Sequence, residues 1–108
     1  MKADQTAGQL DVLLLAALAR GPAHGYGVIV RLREDSGGVF TLPEGTIYPA
    51  LHRLEGAGFI ISNDEFVGGK RRRTYALTDA GVARLDARRA EWRAFSTLVS
   101  RMIGAQPA

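Results

Sequence analysis

The sequence predicts a mainly α-helical fold with one small β-hairpin, and three stretches predict it. Ile47, Leu51, Leu54 and Gly58 recur four, three and four residues apart, the spacing of one helix face. Phe59-Ile60-Ile61 and Thr74-Tyr75-Ala76-Leu77 have the β-branched and aromatic content of strands, and they flank Val67-Gly68-Gly69-Lys70-Arg71-Arg72-Arg73. Beyond Thr78, Leu85, Trp92, Phe95, Val99 and Met102 lie seven, three, four and three apart, a heptad-like seam on a long helix.

The chain has 108 residues, enough for one compact domain, and its hydrophobic content of 46% excludes wholesale disorder. Net charge is +3 and the pI is about 9.8, so cations prevail modestly; their clustering at 70–73 says more than their total. There is no cysteine, hence no disulfide, thiolate metal site or cysteine nucleophile. Acidic Asp4 and polar Gln5 precede the first apolar run, which is not a signal-peptide layout. That run, Val12 to Leu18, has seven residues against the roughly 20 that span a bilayer. A soluble, cytoplasmic protein with no membrane partner is expected.

Taken in order, Thr6-Ala7-Gly8-Gln9 has the form of a capping box and predicts the start of a first helix. Leu10, Leu13, Leu14, Ala17 and Leu18 follow at helical spacing, and Val12 and Leu15 widen the stripe enough for contacts on more than one side. Gly21-Pro22 ends it. A second helix is expected from about His24 to Ser36, with Ile29 and Leu32 inward and with Gly25 and Gly27 kept for close helix packing. Ser36-Gly37-Gly38 closes that helix, and Val39-Phe40-Thr41-Leu42 reads as an extended segment. The third helix follows Pro43, and Pro49 is expected within its first turn, where N–H groups lack helical partners. Val67 to Arg73 is expected to be a basic loop between two short strands, its Gly pair permitting a reversal. Thr78-Asp79 predicts the N-cap and acidic first turn of a last helix running to about Ile103. Arg88 interrupts its seam, and Gly104 to Ala108 reads as a frayed tail.

Two features point to a partner. The face of the third helix opposite Ile47, Leu51 and Leu54 holds Pro49, His52, Arg53 and Gly56, with Gly45 and Thr46 at the N-terminal end. This face is small, polar and basic, suited to a groove rather than a core. Lys70, Arg71, Arg72 and Arg73 repel one another unless a polyanion or open solvent surrounds them. A polar-faced helix followed by a cationic hairpin is the outline of a winged helix-turn-helix, and double-stranded DNA is its natural partner. The domain division expected is a winged helix-turn-helix over 6–77 and a dimerisation helix over 78–104. No nucleophile–base pair, metal cluster or phosphate loop of GxxxxGK[ST] form is present, so neither an enzyme nor a cofactor is expected, and His24 and His52 lack metal-ligand partners. The competing reading is a winged-helix module that binds protein; it would carry an apolar recognition face and need no wing cations.

The chain resembles the PadR family of prokaryotic transcriptional regulators. The matching words are Gly21-Pro22-Ala23-His24-Gly25-Tyr26, then Gly45-Thr46-Ile47-Tyr48-Pro49-Ala50-Leu51-His52-Arg53-Leu54-Glu55, then Gly58-Phe59-Ile60, and Arg72-Arg73-Thr74-Tyr75-Ala76-Leu77-Thr78-Asp79-Ala80-Gly81. They cover about residues 10 to 81 in order, and the single last helix is similar to the short subtype. Thr74 stands where many members carry a second aromatic, and the wing is more basic than most.

The resemblance implies a homodimer that reads a palindromic operator, usually as a repressor, with the third helix in the major groove and the wing at the backbone or minor groove. On it, the DNA-binding residues are Gly45, Thr46, Tyr48, Pro49, His52, Arg53, Lys70, Arg71, Arg72 and Arg73. Tyr48 looks like the family tyrosine whose hydroxyl meets the phosphate backbone, and Gly45 and Thr46 offer N–H groups to a phosphate. Tyr26 is read as packing or as a backbone contact to DNA, and His24 as shaping the second helix. The dimer interface expected is Leu10, Leu14, Leu85, Trp92, Phe95, Val99 and Met102. Some members are released from DNA by aromatic small molecules sandwiched by a tryptophan of the last helix, and Trp92 lies on the matching helix as the candidate effector-binding residue.

Overall fold

The computed structural model describes Ala3 to Ala105, with side chains from Gly8 onward. The order of elements is α1 (Ala3–Ala19), β1 (Ala23–His24), α2 (Gly25–Asp35), α3 (Glu44–Gly56), β2 (Ile60–Val67), β3 (Lys70–Leu77) and α4 (Asp79–Ile103). Helix α1 begins at Ala3, so Thr6 lies inside it rather than capping it; nothing from Ala3 to Gln5 breaks a helix. Gly21 follows the helix at φ 129°. The guanidinium of Arg31 then reaches from α2 to donate to the carbonyls of Ala17 (3.0 Å) and Gly21 (2.6 Å). That cation adds to the long Arg20 N–H bond on the Ala17 carbonyl (3.4 Å), supplies a donor to the Gly21 carbonyl in the turn, and favours the negative dipole end of α1. It welds the α1–α2 turn into a fixed angle.

The core lies where α1, α2 and α3 meet the sheet. Leu14, Leu15, Val28, Ile47 and Leu51 are at most 1% exposed, and Ile60, Tyr75 and Leu85 close the cluster. Ile29 and Leu32 face inward as the periodicity predicts. Leu14 and Leu85 are fully used inside this core, which removes both from the expected dimer interface. Leu85 shares the spacing of the α4 seam and Leu14 belongs to the apolar stripe of α1, but the packed domain claims both first.

Two corrections concern α3. Gly58 is exposed at φ 84°, so it is the left-handed residue that ends the helix and not part of its buried stripe; Ala50 takes that place. Pro49 is the sixth residue of α3, beyond the first turn. Having no N–H, it leaves the Gly45 carbonyl without its helical donor, and this is tolerable because both residues face solvent.

The sheet is antiparallel in the order β1-β3-β2. The strand β1 was not foreseen, since two residues carry no periodicity. The hairpin is longer than expected: β2 and β3 have eight residues each and only Gly68-Gly69 turns, both at positive φ. That geometry matches the twist of the strands and suits glycine alone at little cost. The four cations therefore stand on a strand, not in a loop. Their neighbours across the ladder are Asp64 opposite Arg73 and Glu65 opposite Arg72.

Thr78 ties α4 to the rest. Its hydroxyl donates to the Gly58 carbonyl (2.6 Å) and accepts from the Gly81 N–H (3.1 Å), while its own N–H donates to Phe59 O (3.1 Å). Gly81 lies so close to that turn that a Cβ would stand 2.0 Å from the Phe59 carbonyl oxygen. Past Leu85 the helix leaves the core and projects, giving a molecule 55 Å long and 28 Å wide. Gly104 caps it at φ 78°, and Ala105 N–H bonds Ser100 O at 2.9 Å, so these two residues of the expected frayed tail are held to the helix; the rest of it, Gln106 to Ala108, lies outside the described residues. Among the described residues no helix is long and apolar enough to cross a membrane.

Because the obstacle at Gly81 is backbone, Gly81→Ala must shift the start of α4 and is expected to destabilise the fold by roughly 1–3 kcal/mol. Urea unfolding checks this; a change under about 0.5 kcal/mol would show that the α4–β2 junction gives way freely.

Candidate nucleic-acid interface

One-sided burial of α3 presents its other side. Gly45, Thr46, Tyr48, Pro49, His52 and Arg53 are all exposed, whereas Ile47, Ala50, Leu51 and Leu54 are 2% exposed or less. Of the two N–H groups expected to meet a phosphate, that of Thr46 already donates to the Pro43 carbonyl at 3.0 Å. Its hydroxyl and the Gly45 backbone remain on the surface, and Glu44 stands in the same turn. Arg53 is not a free cation: it pairs with Asp11 of α1 at 2.7 Å, 42 residues away. His52 is exposed beside it.

The wing cations also have internal partners. Asp64 faces both Arg73 (3.5 Å) and Arg71 (3.8 Å), and Thr74 hydrogen-bonds Glu65. Asp64, Arg71 and Arg73 are substantially exposed, so their pairs contribute little stability; what they do is divide one acid between two arginines. Arg72 and Lys70 make no ion pair among the described residues. Thus four adjacent cations need neither a polyanion nor solvent alone, because β2 brings acids alongside.

A concave groove joins the two surfaces. His24, Gly25 and Tyr26 at the start of α2, Tyr48 of α3, and Arg71, Arg72, Arg73 and Tyr75 of β3 line it. Close approach shapes it: a Cβ on Gly25 would stand 2.4 Å from the Tyr48 ring. Gly27 shows no such crowding, so of the two glycines only Gly25 is demanded by packing, and by an aromatic ring rather than a helix backbone. His24 is the N-cap of α2, its Nδ1 accepting from Gly27 N–H at 3.1 Å. At the floor, burial raises the Tyr75 hydroxyl above its ordinary range against the opposing pull of Arg73, so it stays a neutral phenol. Tyr26, at the groove's rim and half exposed, is the residue that periodicity underrated. The signal for it in the sequence was its place in the Gly21–Tyr26 word rather than any helical spacing.

The second candidate surface is on α4. Trp92 (67% exposed), Phe95, Leu98, Met102 and Ile103 are exposed, and the Trp92 and Phe95 rings lie 6.2 Å apart. Val99 is half-buried and Leu10 is half-buried against the core, while Leu98 and Ile103 extend the apolar face beyond the predicted seam. Trp92, Phe95, Val12, Leu13 and Phe40 line an apolar groove of about 500 Å³ between α1 and α4, with Arg88 and Glu91 at its edge. Among the described residues no group of acidic and histidine side chains is arranged to hold a metal.

Comparison with known proteins accords with this geometry. The family model described as "Transcriptional regulator PadR-like family" matches residues 14–87. A transcriptional regulator of Mycobacterium tuberculosis is 40% identical over 67 residues, covering 62% of this chain and 60% of the relative, so the chain spans less than two thirds of that relative's length. The crystal structure of a PadR family transcription regulator from Clostridium difficile R20291 superposes with a TM-score of 0.78 at 32% identity, covering 86% of this chain and 96% of that one. Bacillus subtilis PadR, solved in complex with operator DNA, gives a TM-score of 0.66 at 30% identity over 72% of this chain and 45% of that one. The winged-helix fold, the arrangement of α3 and the wing, and a family match across most of the folded domain lead to one conclusion: the chain belongs to the PadR-like family of transcriptional regulators.

Proposed function

We propose that the chain is a sequence-specific DNA-binding repressor that acts as a homodimer on a palindromic operator. The observation that carries this reading is the shared groove, in which Tyr48 of α3 and Arg71, Arg72 and Arg73 of β3 face one concavity. A phosphate backbone passing along it meets hydroxyls and guanidinium groups together, while the outer face of α3 turns toward base edges. Gly45, Thr46, Pro49 and His52 form the part of that face without a competing internal ion pair; Arg53 joins only by leaving Asp11. The solved complex of Bacillus subtilis PadR with operator DNA supports the same use of the fold. The family is one of transcriptional regulators, not of enzymes.

Two-fold symmetry is supported by the exposed apolar face of α4. Trp92, Phe95, Leu98 and Met102, each more than half exposed, offer a second copy an apolar strip along one helix, the kind of surface that marks an interaction site. A dimer built on α4 sets the distance between the two α3 helices, which must match the roughly 34 Å of one DNA turn. The groove beside Trp92, with Glu91 at its rim, suits a flat aromatic effector; such a molecule releases DNA only if it binds the DNA-incompetent dimer more tightly.

Three outcomes are expected. On duplexes enriched from a random pool, anisotropy over a salt series should give a steep wild-type slope. Arg71/Arg72/Arg73→Ala should reduce it by between about one and two contacts' worth, about 0.9 each, because Asp64 already offsets part of the charge. An unchanged slope would take the wing out of the interface. In sedimentation equilibrium the wild type should run as a dimer at micromolar concentration and Phe95→Glu as a monomer; a monomeric wild type would refute the α4 interface. Trp92 is the single tryptophan, so its fluorescence should change when phenolic acids or flat aromatic cations release the operator. Release with no response from Trp92 would place the effector elsewhere.

A further inference from the structure

The wing ends in a composition that phosphate binding does not require. Phe66 is 75% exposed and stands opposite Arg71; Val67 is exposed and stands opposite Lys70. Residues opposite each other share a face and successive residues alternate, so each face of the tip presents one apolar and one cationic side chain. The Gly68-Gly69 turn adds no side chain and keeps the tip narrow. Every residue from Asn63 to Arg73 is exposed, so Phe66 has no core of its own chain within reach. A threonine would serve the strand equally well and spare water a phenyl ring.

We propose that Phe66 is a minor-groove wedge. Resting on the DNA-binding reading above, this assigns the wing tip a specific role: the phenyl ring lodges against a base step while Arg71 and Lys70 meet the phosphates lining the same groove. The minor groove is about 6 Å wide, too narrow for a two-stranded ribbon but open to the edge of one ring flanked by extended cations. Apolar wedges beside cations unstack base steps in minor-groove proteins, and pyrimidine–purine steps yield most readily. The wing thereby selects sequence at positions that α3 does not touch, by deformability rather than hydrogen bonding.

The test uses the enriched duplex with 2-aminopurine, whose fluorescence rises on unstacking, placed in turn at each adenine. Wild-type protein should raise the signal at one or two positions, and Phe66→Thr, which keeps strand propensity, should abolish the rise. Phe66→Thr should also weaken binding about tenfold with an unchanged salt slope, since no charge is lost. Arg71→Ala should do the reverse, lowering the slope while retaining the fluorescence rise. Phe66→Leu, still an apolar insert, should keep most of the rise; thermal melting confirms that each variant is folded. Tight wild-type binding with a flat response at every adenine overturns the wedge, as does an undiminished rise in Phe66→Thr or its loss in Phe66→Leu. A wild type that binds no duplex overturns the DNA-binding reading itself, and the wedge with it.

Discussion

Burial of Ile47, Ala50, Leu51 and Leu54 against the core sets the rotation of α3 about its own axis, and the rest of the molecule depends on that rotation. A helix with four side chains at 0–2% exposure cannot roll without opening a cavity, and opening one costs about 2–5 kcal/mol for each leucine or isoleucine withdrawn. The outer face is consequently presented in a single orientation. Around it the other elements are fixed in turn: Arg31 locks α1 to α2, Gly25 lets α2 close on the Tyr48 ring, and Thr78 pins α4 to the turn that follows α3. Each of these contacts sets a distance that the groove inherits.

The electrostatics are more restrained than a run of four cations suggests. Asp64 is shared by Arg71 and Arg73, and Asp11 holds Arg53. These exposed pairs contribute little to stability, but they lower the field that a passing anion meets and leave Arg72 and Lys70 as the two of the four wing cations without an ion pair among the described residues. In the DNA complex proposed above, cations that must exchange a carboxylate for a phosphate bind non-specific DNA less tightly, so side chains that read bases have more weight in the total.

The apolar groove beside α4 is structurally continuous with the segment that leads into α3. Phe40, one of its lining residues, belongs to the connection that runs from α2 into Pro43, the N-cap of α3. Arg88 and Glu91, an ion pair at 3.3 Å, stand at the edge of the same groove on α4. Whatever fills this space touches both α4, the helix proposed above to carry the dimer contact, and the segment that leads into α3, which is the arrangement that coupling between the two sites requires.

Much of this was legible in the residues taken alone. The ends of α2 and α4, the inward stripe of α3, its polar outer face and the reversal at the Gly pair all follow from short-range rules: capping chemistry, helical period and the backbone freedom of glycine. Resemblance over the quoted words identified the family. What the sequence did not disclose is which residues meet across long separations. Leu14 and Leu85 carry the same apolar pattern as interface residues, and only packing shows that the core has consumed them. Asp11 and Arg53 are 42 positions apart, Asp64 reaches its arginines only once β2 and β3 have zipped in register, and β1 exists only because β3 is beside it. Periodicity records which side of an element is apolar; the partner it turns toward, and the charge already neutralised there, are properties of the folded chain.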